Sequence, residues 1–157
     1  MVKADKFLLV CKKCKAACCK MGGPNFTEKE MKRVINAGYK NYFFKVKEGI
    51  YELKSKRGRC LYLKEDNSCQ IHKVKPISCL CWPVFPNFDK NKKGHIIFGC
   101  PMAKILSKKE IEKCKKEANK FSRKLLDVAI DWKTIKNKED RKLIKKRFKK
   151  FKIKELK

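Results

Sequence analysis

With 157 residues, the chain is long enough for one ordinary domain, or for a compact domain with a helical appendage. Hydrophobic residues make up 43% of it, which excludes a disordered tail, and no window approaches the roughly 20 apolar residues of a membrane-spanning helix. A formal net charge of +28 indicates that a large partner, if there is one, is anionic.

The amino-terminal residues carry a short apolar run, from Phe7 to Val10, immediately before Cys11. The run resembles the end of a lipoprotein signal but is too short for a signal peptide, so we expect a cytoplasmic protein. In a reducing cytoplasm, ten cysteines in a small chain indicate metal binding or catalysis rather than a disulfide framework. Disulfides stay open as an alternative, because intracellular proteins of hyperthermophiles can contain them.

The segment CKKCKAACCK, residues 11–20, places four cysteines within nine positions. Cys11 and Cys14 have the CxxC spacing, which lets two thiolates converge on one metal while the backbone between them turns. Cys18 and Cys19 are adjacent, so their side chains point in different directions and do not easily serve one ion. The segment therefore predicts either two metal ions or a cluster of several irons.

A helix is predicted after this cluster. Thr27 and Glu30 have the spacing of a capping box, which predicts a helix from about Glu28 to Ala37. Gly38 is expected to end it, because glycine readily adopts the left-handed conformation that follows many helices.

Short runs of aromatic and β-branched residues predict a small antiparallel sheet. Residues 42–46 and 50–53 flank Lys47-Glu48-Gly49 and indicate a hairpin, to which residues 60–63 are expected to add a third strand. Further short strands are predicted at residues 69–71 and 95–98.

From residue 107 onwards the pattern becomes helical. Ser107 and Glu110 form a second capping box, and apolar residues then recur at spacings of three and four, which predicts one long amphipathic helix. Its apolar positions are Ile111, Cys114, Ala118, Phe121, Leu125, Val128 and Trp132. A second helix is predicted from Glu139, and its apolar side carries Leu143, Ile144, Phe148 and Phe151.

Residues 104–157 hold half of the net positive charge, with 22 Lys and Arg against 8 Asp and Glu. No flexible linker precedes them, so we expect the two helices to pack on the cysteine-rich part. The many lysines of these helices have two explanations: they form solvated helix faces, or they bind nucleic acid or an acidic protein. No recognised nucleic-acid motif accompanies them.

The order of the cysteines resembles the YkgJ-like CxxCxxCC family, which is described as a zinc- or iron-chelating domain. In that family a cysteine cluster comes first, and a helix that begins with a Thr/acid signal follows it. Next come a cysteine followed by an aliphatic or aromatic pair and a cysteine that precedes Ile-Tyr. The last steps are an Arg-Pro-x-x-Cys-Arg element and a further cysteine. The matching segments here are residues 11–19, 27–30, 60–63, 69–72 and 75–79, with Cys100 last. The resemblance covers residues 7 to about 103.

The resemblance implies that the chain chelates zinc or iron, the latter as an ion or an iron–sulfur cluster. The metal ligands that it implies are Cys11, Cys14, Cys18, Cys19, Cys60, Cys69, Cys79 and Cys100. Saturated thiolate coordination usually serves structure, so we expect the metal to be mainly structural. The alternative is an iron–sulfur enzyme or an accessory protein for methyl transfer to protein lysines, because flagellin lysine N-methylases contain a similar domain.

Several positions depart from the family pattern. The first cluster reads CxxCxxxCC, one residue longer, and Leu80-Cys81 stands where the family has arginine. His72 replaces a tyrosine and is expected to pack or to hydrogen-bond beside the ligands, while Lys75 replaces an arginine. Cys81 is an equal candidate for a spare ligand and a packed thiol, whereas Cys114 is expected to pack within the long helix's apolar side.

The predicted fold is α+β: a small cysteine-rich, metal-organised domain with short antiparallel strands and one helix over residues 1–103, followed by two basic helices over residues 104–157. No Ser/His/Asp or paired-carboxylate arrangement and no Gly-rich nucleotide loop is visible, which makes ordinary hydrolase or kinase chemistry a poor fit. We therefore predict an intracellular metal-binding protein whose basic surface meets an anionic partner.

Overall fold

The computed structural model describes residues 9–129, 131, 135 and 137–156. Over these residues the chain forms three small antiparallel sheets and several short helices. The α+β class is therefore confirmed. None of the described helices is long and apolar enough to cross a membrane.

The first sheet has the strand order β1-β3-β2, with β1 at Asn25–Thr27, β2 at Phe43–Lys47 and β3 at Ile50–Leu53. The predicted β2–β3 hairpin is confirmed by antiparallel pairing of Phe43 with Leu53. The expectation that residues 60–63 supply the third strand is wrong, because β1 pairs with the other edge of β3.

Helix α1, Glu28–Asn36, begins with the predicted capping box. The Glu30 amide donates to the Thr27 hydroxyl at 3.2 Å, and the Thr27 amide donates to the Glu30 carboxylate at 2.9 Å. Gly38 follows with a φ of +92°, a left-handed conformation that ends the helix as expected.

Residues 55–60 form a second, two-stranded sheet of β4, Ser55–Lys56, and β5, Arg59–Cys60. The turn between them has positive φ at Arg57 and Gly58, so the chain reverses at once and β5 pairs with β4 instead of extending the first sheet. The predicted strand at 69–71 is also wrong. Only a single bridge joins Cys69 to Leu63 there, and turns follow it.

The third sheet contains β6, Val84–Pro86, β7, His95–Phe98, and β8, Ile153–Leu156, in that order. Strand β7 was predicted, whereas β8 was not, because its pairing partner lies more than fifty residues earlier in the sequence. An aromatic cluster covers this sheet. Phe98 stacks on Trp82 at a ring distance of 4.7 Å and meets Phe148 at 5.5 Å.

Helix α2 is short and covers Ile77–Leu80. The predicted long helix after it is in fact two helices, α3 at Lys108–Ala118 and α4 at Arg123–Ala129, and its capping box at Ser107 is confirmed. The chain leaves the helix at residues 119–122, and the Ser122 hydroxyl accepts the Leu125 amide at the start of α4. The break lets Phe121 contact Phe85 at a ring distance of 5.5 Å. Trp132 lies outside the described residues.

The last helix, α5, covers Lys138–Phe148 and begins at Asn137, whose side chain accepts the amides of the first turn. Ile144 was predicted on the apolar side of this helix, and its side chain is indeed 1% exposed. Phe151 was predicted on the same side but lies beyond the end of the helix. Ile144 reaches the backbone turns at Gly22 and Gly58, so α5 packs against the cysteine-bearing segments.

Candidate metal centre

The first four candidate ligands lie in a compact N-terminal turn. Residues 9–13 are helical and carry Cys11, and a 3₁₀ helix at Ala17–Lys20 carries Cys18 and Cys19. Between them, Lys15 and Ala16 adopt positive φ values of 59° and 50°. This left-handed pair turns the chain within the CxxCxxxCC segment, so that the Ala16 amide donates back to the Cys11 carbonyl at 2.8 Å.

Three further candidates come from separate elements. Cys60 ends β5, Cys69 makes the single bridge to Leu63, and Cys79 lies in helix α2, Ile77–Leu80. Helix α1 fixes this last segment, since the Glu30 carboxylate that caps α1 also accepts the Ile77 amide at 2.8 Å.

Arg33, on the same helix, supports the segment that precedes α2. Its guanidinium donates to the carbonyls of Val74 and Lys75 at 3.3 and 2.9 Å. Backbone bonds of this kind fix the position of Lys75, whose ammonium acts electrostatically on several of the cysteine thiols.

One small apolar pocket is lined by four of the candidate cysteines. Its volume is about 10 Å³, and Trp82, Met102 and Phe151 form part of its wall. The four cysteines of its wall are Cys11, Cys14, Cys18 and Cys100. Cys100, which is 6% exposed, immediately precedes the 3₁₀ helix Pro101–Lys104 that supplies the other side of the pocket.

Cys19 connects the remaining candidates. Its thiol interacts electrostatically with those of Cys60, Cys69 and Cys79. These three also interact with one another: Cys60 with Cys69, and Cys79 with both. A second group of four thiols is therefore gathered around Cys19, and it adjoins the first group, because Cys19 also interacts with Cys11 and Cys18 with Cys79.

Burial sets the protonation of most of these thiols. It raises the pKa of Cys11 to about 11 and that of Cys60 to about 12, because the charged thiolate loses hydration in the interior. Burial also raises the pKa of Cys69 and of Cys79. Without a bound cation these side chains are neutral thiols at pH 7.

The pair at the centre behaves differently. A hydrogen bond from the Cys18 thiol to Cys19 raises the pKa of Cys18 and lowers that of Cys19. The nearby cations Lys75, Lys20 and Arg59 lower the pKa of Cys19 further. Cys19 is therefore the thiol whose surroundings most favour the thiolate, the form that binds metal.

The other two cysteines lie apart from these eight. Cys81 is fully buried in the core beneath the third sheet, where its thiol interacts with that of Cys114, and Cys114 packs against the same cluster. Burial raises the pKa of Cys81. His72 lies half-buried in the turns that follow Cys69.

The eight candidate ligands all carry free thiols. Within the described ranges, however, no three His, Cys, Asp or Glu side chains are arranged so that they could hold a metal ion. The thiols are thus close neighbours without a preformed coordination shell. Their chemistry fits zinc or iron, since both metals bind thiolates and neither requires a ligand of another type.

Comparison with known proteins gives one match. Residues 10–117 match the model of the family described as "CxxCxxCC: Putative zinc- or iron-chelating domain". No curated protein and no solved structure matches the chain. The matched region contains all eight candidate ligands and continues into α3, and because it covers more than half of the sequence, the chain belongs to this zinc- or iron-chelating family.

Proposed function

We propose that this protein is an intracellular metal-binding protein in which zinc or iron is held by the eight cysteines, arranged as two adjacent sets of four. The observation that carries the proposal is the shared pocket of Cys11, Cys14, Cys18 and Cys100. The second set consists of Cys19, Cys60, Cys69 and Cys79.

The adjacent residues Cys18 and Cys19 explain how two sets can share one small region. Their two thiols are in hydrogen-bond contact, so the pair lies where the two proposed sets meet, and we assign one thiol to each set. Four thiolates are the usual complement of a structural zinc site and of an iron–sulfur cluster. The proposed arrangement therefore leaves no thiol of the eight unused.

A structural role for the metal follows from how the ligands are distributed. The second set joins the 3₁₀ helix at residues 17–20, strand β5, the turn at Cys69 and helix α2, none of which is longer than four residues. Elements this short contribute little stability by themselves. Metal–thiolate bonds would connect them once the sulfurs move into ligating positions.

The basic surface is the second part of the proposed function. Helix α5 uses Ile144 and Phe148 for packing, whereas four lysines of the helix and its end are exposed. These are Lys145, Lys146, Lys149 and Lys150. Because they form no ion pair within the described residues, they are available to neutralise phosphates, and nucleic acid is the anionic partner that we propose.

Metal content tests the two-set arrangement. The protein is purified anaerobically, its zinc and iron are measured, and its visible spectrum is recorded, since an iron–sulfur cluster absorbs visible light and zinc does not. Cys14→Ser and Cys60→Ser, one in each set, are each expected to lose about half of the bound metal. Cys114→Ser, which lies outside both sets, is the control and is expected to retain all of it.

Two results would contradict the arrangement. Loss of all metal in both variants would indicate one shared centre, and full retention in both would show that these cysteines are not ligands.

Titration with duplex DNA, single-stranded RNA and structured RNA at two salt concentrations tests the basic surface. Binding that relies on phosphate contacts weakens steeply as salt rises, and reversal of the four lysines to Glu is expected to abolish it. Binding of an acidic protein in place of nucleic acid, or the absence of binding at low salt, would overturn this part of the proposal.

A further inference from the structure

An open cleft lies where α5 meets the cysteine-bearing segments. Its volume is about 520 Å³, and all of the residues that line it are cationic. They are Lys20, Lys56, Arg57, Arg59 and Arg147. They come from three separate elements: the 3₁₀ helix at Ala17–Lys20, the β4–β5 hairpin and helix α5.

Backbone contacts build this cleft. The Gly22 amide donates to the Gly58 carbonyl at 2.6 Å, which joins the loop after the 3₁₀ helix to the hairpin. Gly58 has a φ of +77°, and a Cβ there would lie 3.1 Å from both Arg147 Nη1 and the Lys20 carbonyl oxygen. A side chain at position 58 would therefore crowd Arg147 and the Ile144 side chain, whose Cγ1 atom would lie 3.0 Å from that Cβ.

Arg147 is held in place within the cleft. Its Nη1 atom donates to the Lys20 carbonyl at 2.7 Å and to the Arg57 carbonyl at 3.0 Å. A guanidinium has five N–H donors, and two bonds from Nη1 leave those on Nη2 and Nε for a ligand. An arginine fixed in this way is suited to the paired oxygens of a phosphate.

The cleft concentrates positive charge without a counterion from the chain. Among the described residues, none of the five cations forms an ion pair with a carboxylate, although Lys20, Arg59 and Arg147 are half-buried. Like charges gathered in a partly buried site repel one another, and a bound anion would offset that repulsion.

The neighbouring metal centre accounts for only part of this charge. Lys20 and Arg59 act on the Cys19 thiol, so they would also balance the negative charge of a metal–thiolate site. Lys56 and Arg57, by contrast, lie exposed at the hairpin turn, and Arg147 enters from α5. These three cations point to an anion that comes from solution.

We propose that the cleft binds a phosphate-bearing ligand of nucleotide size. The volume is within the range of roughly 300–1,000 Å³ that small-molecule sites occupy, and it exceeds what a single phosphate needs. Five cations match a ligand with two or more phosphates. The same chemistry is offered by a free nucleotide and by the end of an oligonucleotide, and in the second case the inference rests on the proposed nucleic-acid function.

Calorimetric titration of the metal-loaded full chain tests the cleft. The probes are ADP, pyrophosphate, a short 5′-phosphorylated single-stranded RNA, and citrate as an anion without phosphate. Lys56→Gln combined with Arg57→Gln removes two exposed cations of the cleft and is expected to weaken ADP binding at least about tenfold. Lys145→Gln combined with Lys146→Gln removes the same charge from the exposed side of α5 and is expected to weaken it less than about threefold.

Each outcome has a defined meaning. Equal weakening by the two double variants, no weakening by the first, or citrate binding as tight as ADP binding would overturn the proposal. ADP binding without RNA binding supports the cleft as a nucleotide site while the nucleic-acid function fails. RNA binding that depends on Lys145 and Lys146 but not on the hairpin cations would support that function and overturn the cleft.

Discussion

Replacing Ile144 with alanine tests whether α5 is held against the cysteine-bearing segments by the packing of one side chain. Ile144 is 1% exposed, and its side-chain atoms lie near Gly22 and Gly58, the two turns that are joined by a backbone hydrogen bond. Arg147 follows three positions later on the same face of the helix. Loss of the Ile144 contact should therefore affect both stability and the position of Arg147.

The expected cost follows from the atoms removed. Ile→Ala deletes three carbons, worth about 2.4 kcal/mol at about 0.8 kcal/mol for each buried methylene, and the remaining cavity adds to that. Alanine returns a few tenths of a kcal/mol through its higher helix propensity. The free energy of unfolding should fall by about 3 kcal/mol, which for a chain of 157 residues lowers the melting temperature by roughly 6–12 °C.

Urea unfolding of the metal-loaded protein, followed by circular dichroism, measures this change. Ile153→Ala is the matched control, because it deletes the same atoms from a side chain that is 41% exposed, and it should cost less than about 1 kcal/mol. A loss below about 1 kcal/mol for Ile144→Ala, or equal losses for the two variants, would refute the reasoning that Ile144 anchors the helix.

Other consequences are open to simple measurements. Gly23→Ala should lower the melting temperature sharply, because its Cβ would lie 2.5 Å from the Leu53 carbonyl oxygen, whereas Gly94→Ala meets no atom within 4 Å and should cost only the strain of its positive φ. Chelation of the metal should lower the melting temperature measured by circular dichroism, and unchanged melting would count against a structural metal. Lys92 lowers the pKa of the Glu155 carboxyl, so the pair stabilises the fold fully above the ordinary Glu pKa, and this stabilisation is lost as the pH falls from there through the lowered pKa of the folded protein. Glu155→Gln should remove that small acid dependence of the melting temperature, and an unchanged dependence would contradict the prediction.

Local signals in the sequence predicted local structure well. Both capping boxes form, because each depends on two side chains and the amides of one helical turn. The same kind of signal failed for the long helix. Apolar spacing of three and four continues through Ala118, Phe121 and Leu125, so it hides the point at which the chain leaves α3 and starts again at α4.

Long-range pairing could not be predicted in the same way. Strand β8 consists of four residues, two of them charged, and its pairing with β7 depends on where α5 returns the chain. The edge of β3 that does not pair with β2 pairs with β1 instead of with residues 60–63, because the tight turn at Gly58 pairs β5 with β4. In each case tertiary geometry chooses between partners that look equivalent in the sequence.

The candidate site was predicted as a set of residues but not as an arrangement. The order of the cysteines along the chain indicated the eight candidate thiols. Which of them share the pocket with Cys100, and which lie beside Cys19, depends on the fold. In the sequence, Arg147 counted only toward the positive charge of residues 104–157, although its Nη1 atom donates to carbonyls of the cysteine-bearing part. A usable signal was present, because Arg147 lies three residues after the apolar Ile144 and therefore shares its buried face.

The metal centre and the cationic cleft share one structural element. The 3₁₀ helix at Ala17–Lys20 supplies Cys18 and Cys19 on one side, and Lys20 supplies both a cation and the carbonyl that receives Arg147 on the other. Metal bound by the cysteines would hold this helix in place, and with it one wall of the cleft. An anion bound in the cleft would in turn reduce the positive potential around Cys19 that favours its thiolate. If both proposed sites bind their ligands, they would be coupled by two contributions of opposite sign: metal would hold one wall of the cleft in place, whereas the negative charge of a bound anion would disfavour the nearest thiolate.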